Sequence, residues 1–330
     1  MLENPVEGYF VTTPDNLVFE VKGVVHPKNR IIAYLRYVPS EATESGTVFR
    51  KVYDLDDREE YLRNLYPEYL WFSGPHGRTV QSVSHDKIVS ILDPVECLTR
   101  LRNTTKITGL KYESVMLARK LVETTGIEWN NIGLTGSQLV GVAGEDSDID
   151  LVVYGSSACQ KFYSGLSSGF DNIPEIKKYS GRLLDDHVSF RWGAHSDLRP
   201  LLREIEREKL LQGMIGKYHF FIRLVKTPSD LDYTFGDLSF QMMGFQKVSG
   251  KVLDSSDSIF TPCEYQVKCV GIPNLKKIIS YRGRFTEQVK SDVKFEAFGR
   301  LELVTNHREK SQYMQLVLGE RPIDYLIPIE

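Results

Sequence analysis

The chain has 330 residues, which at roughly 100 to 200 residues per domain gives room for two or three packed cores. Hydrophobic residues make up 41% and charged residues 26% of the chain, and these ordinary globular values exclude a disordered or fibrous protein. With 41 Lys plus Arg against 44 Asp plus Glu, the formal net charge is -3. The chain therefore lacks an overall basic field, and binding of a nucleic acid would need a local patch.

The cysteines and the N-terminal residues predict a protein of the reducing cytoplasm. The four cysteines are scattered and form no Cys-x-x-Cys pair, which favours buried thiols over a zinc site. No apolar run reaches the roughly 18 residues of a membrane span, and the N-terminus lacks the basic and apolar regions of a signal peptide. We expect no membrane partner, and no feature of the sequence indicates an oligomeric state.

Residues 1–83 predict a β-rich N-terminal region. β-branched and aromatic segments around turn residues indicate strands at 9–13, 17–25, 30–38 and 47–53. The apolar spacing over 56–70 predicts a helix that Pro67 must end or kink. The Gly- and Pro-containing stretch 73–79 marks the first boundary.

Residues 84–128 predict a helical connector. A first helix is expected from Ser84, with an apolar stripe that continues past Pro94. A second helix is expected over 110–124, with Gly126 as its C-cap.

Residues 129–244 alternate short strands with helices, which is typical of an α/β arrangement, and residues 245–330 return to strands. In the first of these regions we predict strands at 131–134, 149–154 and 218–226 and helices at 158–166 and 198–214. In the second, alternation with Gly, Asn and Ser favours a small antiparallel β barrel or sandwich. The predicted fold class is α+β.

The segment from Leu134 to Tyr154 is the most informative for function. A strand ends in Gly136-Ser137, and an acidic loop leads to Asp148 and Asp150 at the start of the next strand. Residues i and i+2 of a strand point to one face, and two neighbouring carboxylates suit Mg²⁺, which also takes substrate phosphates as ligands. Gly136 permits close approach of a phosphate, and Ser137 adds a hydroxyl and an amide at a helix N-terminus. The segment predicts a site for a triphosphate and a metal.

Two alternatives for these acidic residues are weaker. A calcium loop starting at Asp146 needs a glycine and a terminal glutamate at positions that hold Leu151 and Ser157. A solvated acidic loop remains the simplest structural interpretation. Of the four Asp-x-Asp pairs in the chain, that of Asp148 and Asp150 combines an upstream strand, a Gly-Ser turn and a following apolar strand.

This order of Gly-Ser and Asp-x-Asp resembles the signature of the DNA polymerase β-type nucleotidyltransferase superfamily, in which about ten residues separate the two. Three further segments resemble predicted archaeal nucleotidyltransferases of unassigned substrate: Val-Lys-Gly-Val-Val-His-Pro at 21–27, Arg-Tyr-Val-Pro at 36–39 and Phe-Thr-Pro-Cys-Glu-Tyr at 260–265. The resemblance implies a polymerase β-like core of mixed sheet and helices over 129–244, flanked by the two β-rich regions. It also implies transfer of a nucleoside monophosphate from a nucleoside triphosphate to a hydroxyl acceptor, with release of pyrophosphate.

Carried onto this chain, the resemblance implies catalytic and metal-binding roles for Asp148 and Asp150, which would hold Mg²⁺ or Mn²⁺. Gly136 and Ser137 would bind the β and γ phosphates of the nucleotide.

The family pattern also has a third carboxylate on a later neighbouring strand, and the segment expected to form it, 218–226, contains no acid. Asp254 is our first substitute as a catalytic and metal-binding residue, with Asp232 and Asp237 behind it. If none of them reaches the metal site, nucleotide binding survives and catalysis is in doubt.

The acceptor is not identified by the sequence, and RNA is one candidate. A cluster of basic residues with aromatic neighbours would form a local RNA-binding face, although an ordinary edge-strand charge pattern is the favoured explanation: Lys276, Lys277, Arg282 and Arg284. Two rival functions stay open. One is a non-catalytic scaffold that binds nucleotide or RNA, and the other is nucleotidylation of a partner protein.

Overall fold

Three β-sheets follow one another along the chain in the computed structural model, which describes residues 5–43 and 46–329. The protein is α+β, as predicted. The helices are α1 Leu55–Leu65, α2 Pro94–Arg102, α3 Gly109–Thr125, α4 Gly136–Val140, α5 Ser156–Gly169, α6 Gly181–Trp192 and α7 Arg199–Glu208.

The first sheet contains seven strands. They are β1 Phe10–Thr12, β2 Val18–Val21, β3 Arg30–Thr43, β4 Gly46–Lys51, β5 Leu70–Ser73, β6 Arg78–Ser84 and β7 Ser90–Leu92, in the order β5-β6-β3-β2-β1-β7 with β4 paired to β3. Buried side chains such as Val11, Phe19 and Leu35 form its core with the apolar face of α1. The N-terminal part of the chain is β-rich in the structure, and its sheet extends through β7.

The helix predicted from Ser84 past Pro94 is wrong in its first half. Strand β7 occupies part of that segment, and α2 begins only at Pro94. Asp93 caps this helix, because its carboxylate accepts hydrogen bonds from the backbone N–H groups of Val95 and Glu96 at 2.6 and 3.3 Å. Proline is suited to the first helical position, where its missing N–H is not needed.

The central sheet is mixed. Its strands are β8 Ile132–Leu134, β9 Ile149–Tyr154, β10 Ile176–Lys177, β11 Gln212–Ile215 and β12 Tyr218–Val225, in the order β10-β11-β12-β9-β8. Strands β9 and β12 are parallel, and the other pairs are antiparallel. Helices α2, α3 and α5 share one core with this sheet, so the residues predicted as a connector pack as part of the central region.

Helix α3 ends as predicted, whereas the helix predicted over 198–214 does not. Gly126 closes α3 in the left-handed conformation with φ of 68°. Helix α7 stops at Glu208, and β11 follows it. Gly213 lies in β11, close to the neighbouring strand β10. A Cβ at this position would come within 2.4 Å of the carbonyl oxygen of Lys177.

The third sheet closes into a barrel. Its strands are β13 Leu238–Asp254, β14 Cys263–Cys269, β15 Leu275–Ser280, β16 Lys294–Asn306, β17 Ser311–Leu318 and β18 Tyr325–Ile329. Strand β13 pairs with both β14 and β16, which closes the ring, and the β15–β17 pair is parallel. The barrel begins at Leu238 rather than at 245, and its core includes residues of α6 and α7.

Within the described residues, no helix combines the length and apolar character that a membrane crossing needs. The four cysteines are free thiols, and three of them are buried, as the sequence predicted.

Candidate functional site

A cleft of about 490 Å³ lies between the first sheet and the central sheet, a size within the range of small-molecule sites. The central-sheet wall is formed by Gly136, Ser137, Val142, Gly144, Glu145, Asp146, Ser147, Asp148, Asp150 and Arg223. The opposite wall is formed by Phe10, Glu20, Arg36, Tyr37, Phe49, Lys51 and Tyr53 of the first sheet and its connections. The structure therefore brings four of the predicted site residues together: Gly136, Ser137, Asp148 and Asp150.

Gly136 and Asp150 are in such close approach that only glycine fits. A Cβ at Gly136 would lie 2.2 Å from Oδ2 of Asp150, and the glycine has φ of 68°. The backbone N–H of Thr135 also donates a hydrogen bond of 2.9 Å to the carbonyl oxygen of Asp150. The Gly-Ser turn is thus folded directly against the second carboxylate of the motif.

The turn is held in place from both sides. In α4, Nε2 of Gln138 donates a 2.9 Å hydrogen bond to Oγ of Ser114 on α3. The backbone N–H of Val142 donates to the carbonyl of Ser137 at 2.9 Å and closes the turn after α4. Ser137 is therefore fixed at the cleft by contacts that do not use its hydroxyl.

The two carboxylates of the motif lie at the start of β9 without a basic partner. Asp148 is open to the cleft and Asp150 is half-buried, and neither makes an ion pair with the described residues. Partial removal from water and the nearby charge of Asp150 raise the pKa of Asp148, against the opposing effects of His219, Lys51 and Arg191. The raised pKa means that desolvation and the charge of Asp150 disfavour the ionised form of Asp148, and a bound cation would offset both effects.

Strand β12 presents no acid beside the motif, as the sequence predicted. Phe221 is the register partner of Asp150, so His219, Phe221 and Arg223 face the same side as the two carboxylates. Nδ1 of His219 lies 2.9 Å from the hydroxyl of Tyr179. The position at which a third carboxylate is expected is therefore taken by imidazole, phenyl and guanidinium groups.

Arg223 joins the two walls of the cleft. Its Nη1 lies 2.6 Å from Oε1 of Glu20 and 3.4 Å from Oε1 of Glu7, both in the N-terminal region. Lys22 also lies 2.7 Å from Glu7 and 3.0 Å from Glu20, and Arg36 lies 3.8 Å from Glu20. This cluster of two nearly inaccessible carboxylates and three cations links β12 to β2 and β3.

The cluster perturbs its own members strongly. Burial by itself would raise the pKa of Glu20, but Lys22, Arg223 and Arg36 outweigh it and hold that pKa well below its usual range. Burial would lower the pKa of Arg223, and Glu20, Glu7 and Asp150 instead raise it. The sequence did not predict this cluster. The one local feature that could have indicated it is Glu20 itself, a charged residue inside the otherwise apolar strand β2.

Asp254 does not join the other carboxylates. It accepts hydrogen bonds from the backbone N–H and the hydroxyl of Ser256, at 2.8 and 2.9 Å, and caps a short turn after β13. Asp237 accepts from the N–H of Thr234 at 2.7 Å, and Asp232 lies 3.7 Å from Arg308. None of the three acids lines the cleft, and the described residues contain no group of three His, Cys, Asp or Glu that could hold a metal ion.

The basic cluster predicted as an RNA-binding face is divided in the structure. Lys277 pairs with Glu264 at 2.9 Å, and the guanidinium of Arg284 lies 5.0 Å from the ring centre of Trp192. Only Lys276 and Arg282 of the four predicted residues are exposed.

Comparison with known proteins gives one similar chain. An uncharacterized protein of Methanocaldococcus jannaschii is 23% identical over 325 residues, which covers 94% of each of the two chains. No family model matches this chain, and no solved structure matches it significantly. The alignment with the archaeal protein is long enough to include all three sheets.

Proposed function

We propose that this protein is a Mg²⁺-dependent nucleotidyltransferase with a polymerase β-like core. It would transfer a nucleoside monophosphate from a nucleoside triphosphate to a hydroxyl acceptor and release pyrophosphate, and RNA is one candidate acceptor. The observation that carries the proposal is the contact between the Gly-Ser turn and the acidic motif, in which Gly136 leaves no room for a Cβ beside Oδ2 of Asp150. This contact puts the turn that would bind the phosphates and the two carboxylates in one cleft.

The donor set fits a divalent cation that is shared with the substrate. Asp148, just before β9, and Asp150, within it, are oxygen donors that line the same cleft, and they have no basic partner of their own among the described residues. Mg²⁺ typically uses one or two carboxylates and completes its coordination with water and substrate phosphates. When bound to these residues, Mg²⁺ or Mn²⁺ would supply charge neutralisation for the phosphates and activate the acceptor oxygen.

The chain's own residues would bind and orient the nucleotide. The half-buried hydroxyl of Ser137, on a turn fixed by Gln138 and Val142, is available to donate to a phosphate oxygen. The main chain of Asp150 is held against the turn by its hydrogen bond with Thr135, and its carboxylate lies against Gly136. Such preorganisation lowers the entropic cost of binding the nucleotide. It would also align the α phosphate with the incoming hydroxyl.

A transfer assay tests this function. Wild-type protein is incubated with each labelled nucleoside triphosphate, Mg²⁺ and a cell extract, alongside Asp148→Asn/Asp150→Asn. We expect label in an acceptor for the wild type alone, and equal labelling by both proteins would contradict the proposal. The matched control is Asp254→Asn, which we expect to keep full activity because this carboxylate caps Ser256 away from the cleft.

A non-catalytic scaffold that binds nucleotide or RNA is the second candidate function. It is favoured by the acid-free face of β12, where Arg223 occupies a position beside the motif and pairs with Glu20. Mg²⁺-dependent binding of a nucleoside triphosphate without release of pyrophosphate, over a panel of acceptors that includes RNA, would support this function.

A further inference from the structure

The wall of the cleft that faces the acidic motif belongs to the first sheet, outside the core of the proposed nucleotidyltransferase. Strand β3 contributes Arg36 and Tyr37, and β4 with the residues after it contributes Phe49, Lys51 and Tyr53. With Glu20 included, this wall holds two cations, one carboxylate and several aromatic rings, whereas the central-sheet wall holds four carboxylates and one guanidinium group. A molecule that fills the cleft must contact both.

Lys51 is a cation without a carboxylate partner among the described residues. Arg36, which lies nearby, is compensated by Glu20 at 3.8 Å, whereas no ion pair involves Lys51. Lys51 lines the same cleft as Asp148 and Asp150, on the opposite wall. When Mg²⁺ occupies the two carboxylates, an ammonium group on the opposite wall suits an anion that lies between it and the metal ion.

Tyr53 provides an aromatic surface beside this cation. Its side chain is 71% exposed, although Nζ of Lys51 lies 4.6 Å and Cζ of Arg36 lies 5.9 Å from the ring centre. These two cation–π contacts hold the ring at the cleft and leave most of its surface open. An exposed ring in such a place is suited to stacking with a flat heterocycle, because stacking on aromatic side chains tolerates any base.

We propose that the first sheet is the second half of the nucleotide site, with Lys51 neutralising the triphosphate and Tyr53 stacking on the base. The phosphates would lie between Lys51 and the hydroxyl of Ser137, and the base would extend toward the open end of the cleft. This inference rests on the proposed function for the identity of the ligand, a nucleoside triphosphate, and it assigns the binding of that ligand to residues that the motif does not contain.

Titration calorimetry with two probes in the presence of Mg²⁺ separates the two roles. The probes are inorganic tripolyphosphate, which has no base, and the nucleoside triphosphate that wild-type protein binds most tightly among the four common ones. We expect Lys51→Gln to weaken the binding of both probes about tenfold, because both contain the phosphates. We expect Tyr53→Leu to weaken the nucleotide about tenfold and leave tripolyphosphate unchanged.

Three controls keep this test interpretable. Lys268→Gln removes an exposed strand lysine of the barrel, outside the cleft lining, and we expect it to bind both probes as the wild type does. Lys51→Arg keeps the charge and should restore the binding of tripolyphosphate. Thermal unfolding of each variant checks that the fold is retained, which we expect because Lys51 and Tyr53 are partly or largely exposed.

The possible failures differ from those of the proposed function. Wild-type protein that binds no tripolyphosphate, or a Lys51→Gln variant that binds it within twofold of the wild type, would overturn this inference. If the wild type transfers label and Lys51→Gln does so with an unchanged KM, the inference falls and the proposed function stands. If the binding pattern is found without any transfer, the inference stands and the catalytic function falls.

Discussion

Two groups of carboxylates meet at the junction of the first and central sheets, and their surroundings are opposite. Glu7 and Glu20 are nearly inaccessible and are surrounded by Lys22, Arg36 and Arg223. Asp148 and Asp150 lie in the cleft without a basic partner among the described residues. Accordingly, the pKa of Glu20 is held well below its usual range, and the pKa of Asp148 is raised.

This difference separates a structural role from a binding role. A buried carboxylate with its cations in place is satisfied within the protein, and removing one partner exposes the full cost of its burial. A carboxylate pair whose charge is not compensated stores unfavourable energy that a bound cation can relieve. Four substitutions test whether the two groups differ in this way.

The largest effect is expected from Arg223→Met. This change leaves Glu20 and Glu7 buried without their shared guanidinium, so we expect the free energy of unfolding to fall by about 3 kcal/mol. Guanidinium chloride unfolding at pH 7 measures it. The control is Arg182→Met, whose exposed pair with Asp186 should contribute less than about 0.5 kcal/mol. Equal small losses in both variants would show that the Glu7 and Glu20 cluster is not structural.

The second effect concerns Gly136→Ala, for which the chain offers a matched control. Gly136 and Gly141 both have positive φ, of 68° and 83°, but only at Gly136 would the new Cβ meet Asp150. We expect backbone strain of about 1 kcal/mol in both variants, and a larger loss together with displacement of the Asp150 carboxylate in Gly136→Ala. Unfolding free energies and the increase in Tm on adding Mg²⁺ measure these effects. Indistinguishable variants would contradict the contact between the turn and the motif.

A smaller effect is expected in the pH dependence of stability. Because the folded-state pKa of Glu20 lies below its unfolded value, its contribution is present above about pH 4.3 and is lost as the pH falls through the folded-state value. The unfolding free energy, measured from pH 7 to pH 2, should therefore fall less steeply below pH 4.3 in Glu20→Gln than in the wild type. Parallel curves would show that the Glu20 carboxylate does not titrate as its cationic surroundings require.

The smallest effect is expected from Asp148→Asn, and it has the opposite sign. The raised pKa of Asp148 means that its ionised form destabilises the folded protein above the unfolded pKa of about 3.9. Because the side chain is open to solvent, we expect the Tm at pH 7 to rise by only about 1 °C, with the gain lost below pH 3.9. Asp146→Asn on the same exposed loop is the control, and a lower Tm for Asp148→Asn alone would refute the comparison.

Local patterns in the sequence predicted much of the central region. Strand β9 has the predicted bounds, whereas the C-terminal strands form a barrel that is not wholly antiparallel as predicted, because β15 and β17 are parallel. The alternation of a strand places Asp148 and Asp150 on one side whatever the rest of the fold does, so this part of the site needed no tertiary information. Prediction from local patterns is wrong where one residue type fits two structures. Proline can interrupt a helix or begin one, and Pro94 begins α2.

The rest of the site depends on contacts between distant parts of the chain. No pattern within β2 or β12 indicates that Glu20 will pair with Arg223, and the same holds for Lys51 opposite the acidic motif. The choice of Asp254 as third carboxylate required the end of β13 to reach the acidic motif, whereas this end of the barrel strand caps Ser256 outside the cleft. Such errors arise because strand order is decided by packing, which spacing along the chain does not encode.

The pairing of Glu20 with Arg223 also has a consequence for biosynthesis. Glu20 is translated 203 residues before Arg223, so the first sheet leaves the ribosome while Glu20 still lacks one of its three basic partners. At about 5 to 20 residues per second, this interval lasts roughly 10 to 40 s. During that time Lys22 and Arg36 are the basic residues that can neutralise Glu20, and the cleft takes its final form only when β12 has been synthesised and docked.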